Sequence, residues 1–126
     1  MMTKEIRLQL IELARLRTTW TYSQLNEQLQ LGLDLNFDQD RRLIGEWLGN
    51  ISRHEHEHKR PLLSCLVTHN MGSVNRVMAF YKLCEELFGT DWEKLKANKK
   101  WENGLIADCY TFWQNPSNYK KFKNDF

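Results

Sequence analysis

Three histidines alternate with two glutamates through His54, Glu55, His56, Glu57 and His58. Imidazole binds divalent metals and titrates near neutral pH, so this run is the first place to look for chemistry. On a helix, His54 and His58 share a face four residues apart and chelate an ion if a third donor arrives from elsewhere. On a strand, the same alternation would put all three histidines on one side. No second cluster of histidine and carboxylate accompanies the run. The expectation is therefore a solvated helix end, where histidine suits the helix dipole, with no metal and no cofactor. Glu55 follows Ile51 by four residues and borders an apolar stripe, so it is assigned a structural pairing with Arg60 or Arg53.

Arg41 and Arg42 open the same segment, and Arg53 lies three turns further on. The first turn of a helix favours anions, so two arginines there point to a partner that supplies negative charge. Asp38 and Asp40 next door carry the competing reading, a neutralised and solvated pair. Gly45 and Gly49 stand one turn apart inside this segment, where each costs about 1 kcal/mol relative to alanine. A close neighbour on that face is expected, either a packed helix or a nucleic-acid backbone.

Other groups are weaker. Cys65, Cys84 and Cys109 are widely spaced, odd in number and without a CxxC, so they read as buried reduced thiols. Lys94, Lys96, Lys99 and Lys100 mix with Trp92 and Trp101, as in single-strand binders, but the tryptophans have core spacing. The run Tyr119-Lys120-Lys121-Phe122-Lys123 has the same mixture without a helical period and reads as an interaction arm or a frayed end. There is no P-loop, GxSxG, HExxH or paired-carboxylate motif, so no enzyme is expected and no catalytic residue is assigned.

These residues must be held by mainly helical elements. Thr3 is a cap for a first helix with apolar residues Ile6, Leu10, Leu13 and Leu16, fading near Arg17. Thr21 caps a short helix from Tyr22 to about Gln30, ended by Gly32, and Asp38 caps a third helix running to about His58. In that helix Leu43, Ile44, Trp47, Leu48 and Ile51 form a continuous apolar stripe, and Pro61 ends the segment. Residues 62–68 read as a buried strand, Asn70 to Ser73 as a turn, and Val74 to Ala79 as a return strand. Helical spacing resumes from Phe80 to Gly89, in a short helix around Trp92 and Leu95, and from Trp101 to Trp113.

At 126 residues, with 41% hydrophobic and 27% charged side chains, the chain reads as a single domain over 1–126. A net charge of +2 means that nucleic-acid binding would need a local patch. No apolar run reaches the roughly 18 residues of a membrane span, and no signal-peptide core is seen, so a cytoplasmic location without membrane contact is expected.

Three helices followed by a hairpin is the order of a winged helix. Here the sequence resembles the DNA-binding domain of alkyltransferase-like proteins and methylguanine-DNA methyltransferases. Thr21-Tyr22-Ser23-Gln24-Leu25 is similar to that family's TYGxLA segment, and Arg42-Leu43-Ile44-Gly45-Glu46-Trp47-Leu48 to its RAVGxAL recognition helix. Pro61 to Val67 resembles the strand bearing its PCHR motif, and Phe80 to Gly89 the helix after the wing. The resemblance implies that Tyr22 touches a phosphate and that Arg42 fills the space of a flipped base. Alkyl transfer is not implied, because Leu66 and Val67 replace the histidine and arginine that would activate Cys65. Leu48 to Ser52 and Arg60 to Ser64 also resemble a group of small uncharacterised bacterial proteins with the pattern LGxISxYExxxGRPLLSALVV.

The resulting expectation is mainly α with a small β-hairpin (α+β). A winged helix-turn-helix-like core over about 5–90 is followed by a helical extension over about 91–115 and a basic-aromatic tail over 116–126. The expected function is non-enzymatic duplex DNA binding through Tyr22, Arg41, Arg42 and Arg53. The alternative is a protein-interaction module, or accessory subunit of a bacterial or phage system, that meets its partner through the C-terminal helix or tail.

Overall fold

The apolar repeat that begins at Ile6 forms α1, Met2–Arg15, and buries Ile6, Leu10, Ile11, Leu13 and Ala14. The computed structural model describes residues 2–68 and 74–126, with side chains over 3–68 and 80–126. Thr3 lies inside the first turn of α1 and does not cap it. Leu16 is 72% exposed, against its expected place on the buried face. The helix has ended by then: Arg17 takes φ 56°, and the Arg17 and Thr18 amides bond back to the Ala14 and Leu13 carbonyls.

Thr21 does start a helix. It ends β1, Trp20–Thr21, and caps α2, Tyr22–Gln28. Its hydroxyl accepts from the Gln24 amide at 3.1 Å, and the Gln24 side chain accepts from the Thr21 amide at 2.8 Å. This reciprocal box contributes about 1 kcal/mol. Asn26 then pins the connector through two bonds to the Leu33 backbone.

The third helix, α3, spans Asp38–Glu57. Phe37 occupies the cap position and Asp38 begins the helix proper, one residue from expectation. Ile44, Leu48 and Ile51 are buried, with Leu43 and Trp47 half-buried beside them. Lys59, at φ 59°, turns the chain, and the Arg60 amide closes onto the Glu55 carbonyl at 2.8 Å.

The expected strand over 62–68 is buried, but most of it is not a strand. Leu63–Leu66 is a 3₁₀ turn, followed by β2, Val67–Thr68. Its only partner among the described residues is β1, in parallel, with Trp20 opposite Val67 and Thr21 opposite Thr68. In this parallel register the residues before Val67 would face those before Trp20, where the chain has just left α1 and turns at Arg17, so the ladder holds two residues. Backbone groups upstream find other partners: the Ser64 amide bonds the Ser52 hydroxyl at 3.1 Å, and the two serine hydroxyls meet at 2.6 Å.

The expected return strand Val74–Ala79 is instead the opening of α4, Val74–Phe88. The valines looked β-like locally, yet Val77, Tyr81, Cys84 and Phe88 continue one helical repeat. The expected turn at Asn70–Ser73 lies outside the described residues. A hairpin is therefore replaced by a two-residue parallel pair and a helix, and the fold is mainly helical.

Asp91 caps α5, Trp92–Ala97; Asn98 caps α6, Lys99–Gln114; and Asn115 caps α7, Pro116–Phe122. Proline at the first helical position suits α7, so Asn115-Pro116 ends one helix and starts another. The segment expected as an arm or frayed end is thus helical through Phe122. The main core joins α1, α2, α3 and the 3₁₀ turn to Cys109 and Trp113 of α6. A second cluster unites Leu62, Tyr81, Cys84 and Leu95. Among the described residues no helix is long and apolar enough to cross a membrane.

All three cysteines are buried and reduced. Cys65 and Cys109 lie 3.6 Å apart at sulfur, and the Cys109 thiol donates to the Leu62 carbonyl at 3.2 Å. Hydrogen bonding to Cys109, with burial added, drives the Cys65 thiol well above its usual range. Burial first, and Cys65 second, push Cys84 up to about 12. A thiol-exchange reagent at pH 8 is therefore expected to label no cysteine in the native protein and all three in denaturant. Fast native labelling of Cys65 would contradict this and indicate an activated thiolate.

Candidate nucleic-acid interface

Of the four residues assigned from sequence, Tyr22 and Arg53 line one cavity, and Arg41 and Arg42 stand outside it. Tyr22 sits in the first turn of α2 and is 6% exposed. Arg41 pairs with Asp38, and its Nη1 donates to the Leu35 carbonyl at 2.8 Å, so it holds the 33–37 connector onto α3. Arg53 forms a fork with Glu86 of α4, Nε to Oε2 at 2.7 Å and Nη2 to Oε1 at 3.1 Å. Arg42 is exposed and makes no ion pair among the described residues. The start of α3 also carries Asp38 and Asp40, so this helix end is mixed in sign and not a basic ridge.

Arg53 and Glu86 line a cavity of about 290 Å³ between α3 and α4, together with Tyr22 of α2, Gly45, Gly49, Phe80 and Leu83. The close neighbour expected at the two glycines is absent at Gly45, where a Cβ would meet nothing within 4 Å among the described residues. At Gly49 a Cβ would stand 3.2 Å from the Arg53 guanidinium. The hydrogen bond from Arg53 holds the exposed Glu86 carboxyl below its ordinary 4.5. A depressed carboxyl stabilises the fold above the unfolded pKa, and the contribution is lost as pH falls through the folded pKa. Arg53→Ala is expected to return the Glu86 midpoint, followed by side-chain carbonyl NMR, to the ordinary range. An unchanged midpoint would show that the fork is not formed in solution.

A denser set of cations stands elsewhere, where the end of α1 meets α6 and α7. The Arg15 guanidinium lies 3.8 Å from the Tyr119 ring centroid, and Lys123 lies 4.8 Å from the same ring. Arg17 lies 5.2 Å from the Tyr110 ring, and its Nη1 donates to the Gln114 side chain at 3.2 Å. The Gln114 amide in turn donates to the Arg15 carbonyl. Tyr119, chiefly by hydrogen bonding, holds the Lys123 ammonium charged above the usual lysine range, while Arg15 acts against it. The carboxylate paired with this group among the described residues is Glu12, bonded to Arg15 at 3.1 Å. Lys120 and Lys121 are exposed on α7.

Sequence reading singled out Tyr119 and Lys123 as a basic-aromatic mixture but missed Arg15, Arg17 and Tyr110. Their signal was present in part. Arg15 and Arg17 flank the end of the first apolar repeat, and Tyr110 and Gln114 lie four apart on α6, each one residue past a buried core residue, Cys109 and Trp113. Nothing in the spacing, however, says that these two places meet.

Beneath the edge of this face lies a buried ionic network. Glu55 is fully buried and accepts from Arg7 Nε at 3.1 Å and from Arg60 Nε at 3.0 Å. Arg7 also donates to the Phe122 and Lys123 carbonyls, at 3.0 and 2.6 Å. Arg60 donates to the Asp125 carboxylate at 2.8 Å. Of the two partners expected for Glu55, Arg60 is used, Arg53 goes to Glu86, and Arg7 was unforeseen. No protein family, curated protein or solved structure matches this chain.

Proposed function

We propose that this protein is a non-enzymatic nucleic-acid-binding module that grips the phosphate backbone of duplex DNA with the face built from α1, α6 and α7. The observation that carries this reading is the gathering of Arg15 and Lys123 on the one ring of Tyr119, with Arg17 on Tyr110. Like charges held this close repel unless an anion joins them, and Glu12 offsets only one. Stacking on tyrosine fixes the guanidinium planes and leaves N–H edges for phosphate oxygens. Such contacts position a duplex without reading its sequence.

The winged-helix likeness enters this reading as a scaffold only. The α1–α3 packing around a shared core supports a helix-turn-helix-like unit, while the expected recognition helix contributes little beyond Arg42. On a labelled duplex at low salt, replacing Arg15, Arg17 and Lys123 together by alanine should weaken binding by roughly tenfold or more, and Arg42→Ala by no more than about twofold. A neutral triple variant with a deleterious Arg42→Ala would return the interface to α3. Wild-type protein that binds no duplex at low salt would end the proposal.

The protein-interaction alternative has one observation in its favour. Phe88, 42% exposed, borders a groove of about 870 Å³ together with Leu62, Leu105 and Phe112. Its expected location in the tail is less favoured, because the backbone at Phe122 and Lys123 is already bonded to Arg7.

A further inference from the structure

The histidine run gains in the fold the partner it lacked in the sequence. His54 and His58 lie on one face of the last turns of α3, with ring centroids 4.3 Å apart. Asp125 comes back to them from the end of the chain, so that one ligand atom from each of His54, His58 and Asp125 lies within 4.8 Å of the others. His56, between them in sequence, faces elsewhere and packs edge-on against Phe88.

We propose that His54, His58 and Asp125 form a binding site for a divalent transition metal of the zinc class, with solvent completing the coordination. Two imidazoles and a carboxylate are a donor set that zinc accepts, and the harder alkaline-earth ions, which prefer oxygen, do not compete well for imidazole nitrogen. Hydrogen bonding already prepares the donors. His58 Nδ1 lies 2.8 Å from the His54 carbonyl, and His54 Nε2 lies 2.9 Å from the Asp125 carbonyl. A carbonyl only accepts, so each neutral ring directs its proton there and keeps a lone pair on its other nitrogen. Ligating histidines are commonly oriented through such bonds. Arg60 fixes one oxygen of Asp125 at 2.8 Å and thereby orients the carboxylate.

The distances are also within reach. Zinc–donor bonds of about 2.0–2.1 Å in a tetrahedron set donors roughly 3.4 Å apart. Donors no more than 4.8 Å apart must therefore close by at most about 1.4 Å, a small rotation for side chains that are exposed or half-exposed. The charged Arg60 lowers affinity relative to a site without it, which places binding in a modest range.

The test is calorimetric titration of untagged protein with zinc chloride in a non-coordinating buffer, with imidazole NMR in parallel. One zinc per chain is expected, with the His54 and His58 ring signals shifting together. His58→Ala and His54→Ala should each weaken binding at least tenfold, Asp125→Asn should weaken it less, and His56→Ala should leave it unchanged. His58 is exposed, so its removal does not threaten the fold. Undiminished binding in both His54→Ala and His58→Ala, or an equal loss in His56→Ala, would overturn the site. So would the absence of any heat or ring shift in the wild type.

Discussion

Glu55→Ala is expected to destabilise the protein by about 3–5 kcal/mol, because it leaves the buried Arg7 guanidinium without its counter-charge and Arg60 with Asp125 alone. Arg7 and Arg60 are 1% and 5% exposed, and both are bonded to the fully buried Glu55. The magnitude follows from an asymmetry. An intact buried pair contributes little net stability against its desolvation, whereas half of one leaves a charge that water cannot reach. For a chain of this length the loss corresponds to a fall in melting midpoint on the order of 10 °C.

The effect should be spatially uneven. Arg7 holds the Phe122 and Lys123 carbonyls, and Arg60 holds Asp125, so the end of α7 and the segment after it are clamped by the same network. Arg7→Ala should accordingly raise amide exchange in α7 before α1 or α3 is affected. Urea denaturation gives the free energy, with an unchanged slope confirming that compactness is preserved. A cost under about 1 kcal/mol for Glu55→Ala would mean that solvent screens the network as it screens surface pairs.

The second large effect concerns salt. If Arg15, Arg17 and Lys123 each neutralise one phosphate, log K should fall against log salt with a slope of about −2.7. Between about 50 and 200 mM salt, that is roughly a 40-fold loss of affinity. The variant lacking all three cations should keep almost no slope, whereas Arg42→Ala should alter it by at most about 0.9. Tyr119→Leu is a sharper probe, since it preserves the charges and removes the ring that organises two of them. Weaker binding at unchanged slope is the expected outcome.

The elements legible in the sequence were those whose signal is local. The Thr21 cap, the apolar stripe from Leu43 to Ile51, the stop at Gly89 and the Asn115-Pro116 break all depend on residues within a turn or two. What was misread depends on distant partners. Residues 62–68 have the composition of a strand, but the stretch before Trp20 that would have to pair with 62–66 is taken up by the end of α1 and the turn at Arg17. The α4 opening was divided because valines favour strands locally, although the longer repeat was helical.

The candidate sites follow the same rule. The arginines of α3 were correctly placed on a helix, yet Glu86, 33 residues from Arg53, decides what Arg53 does. Asp125 is 71 residues from His54, so the metal donor set could not be assembled from spacing. Arg15 and Tyr119 are brought together by the bonds from Arg7 to the Phe122 and Lys123 carbonyls and from Gln114 to the Arg15 carbonyl.

The central claim, that phosphate is met by α1, α6 and α7, is tested most directly by titrating isotope-labelled protein with a short duplex and following its NMR signals. The amides of Arg15 and Arg17, with those around Tyr110, Tyr119 and Lys123, are expected to shift together and saturably at low salt. Shifts confined to the start of α3 around Arg42, or no shifts at low salt, would contradict it.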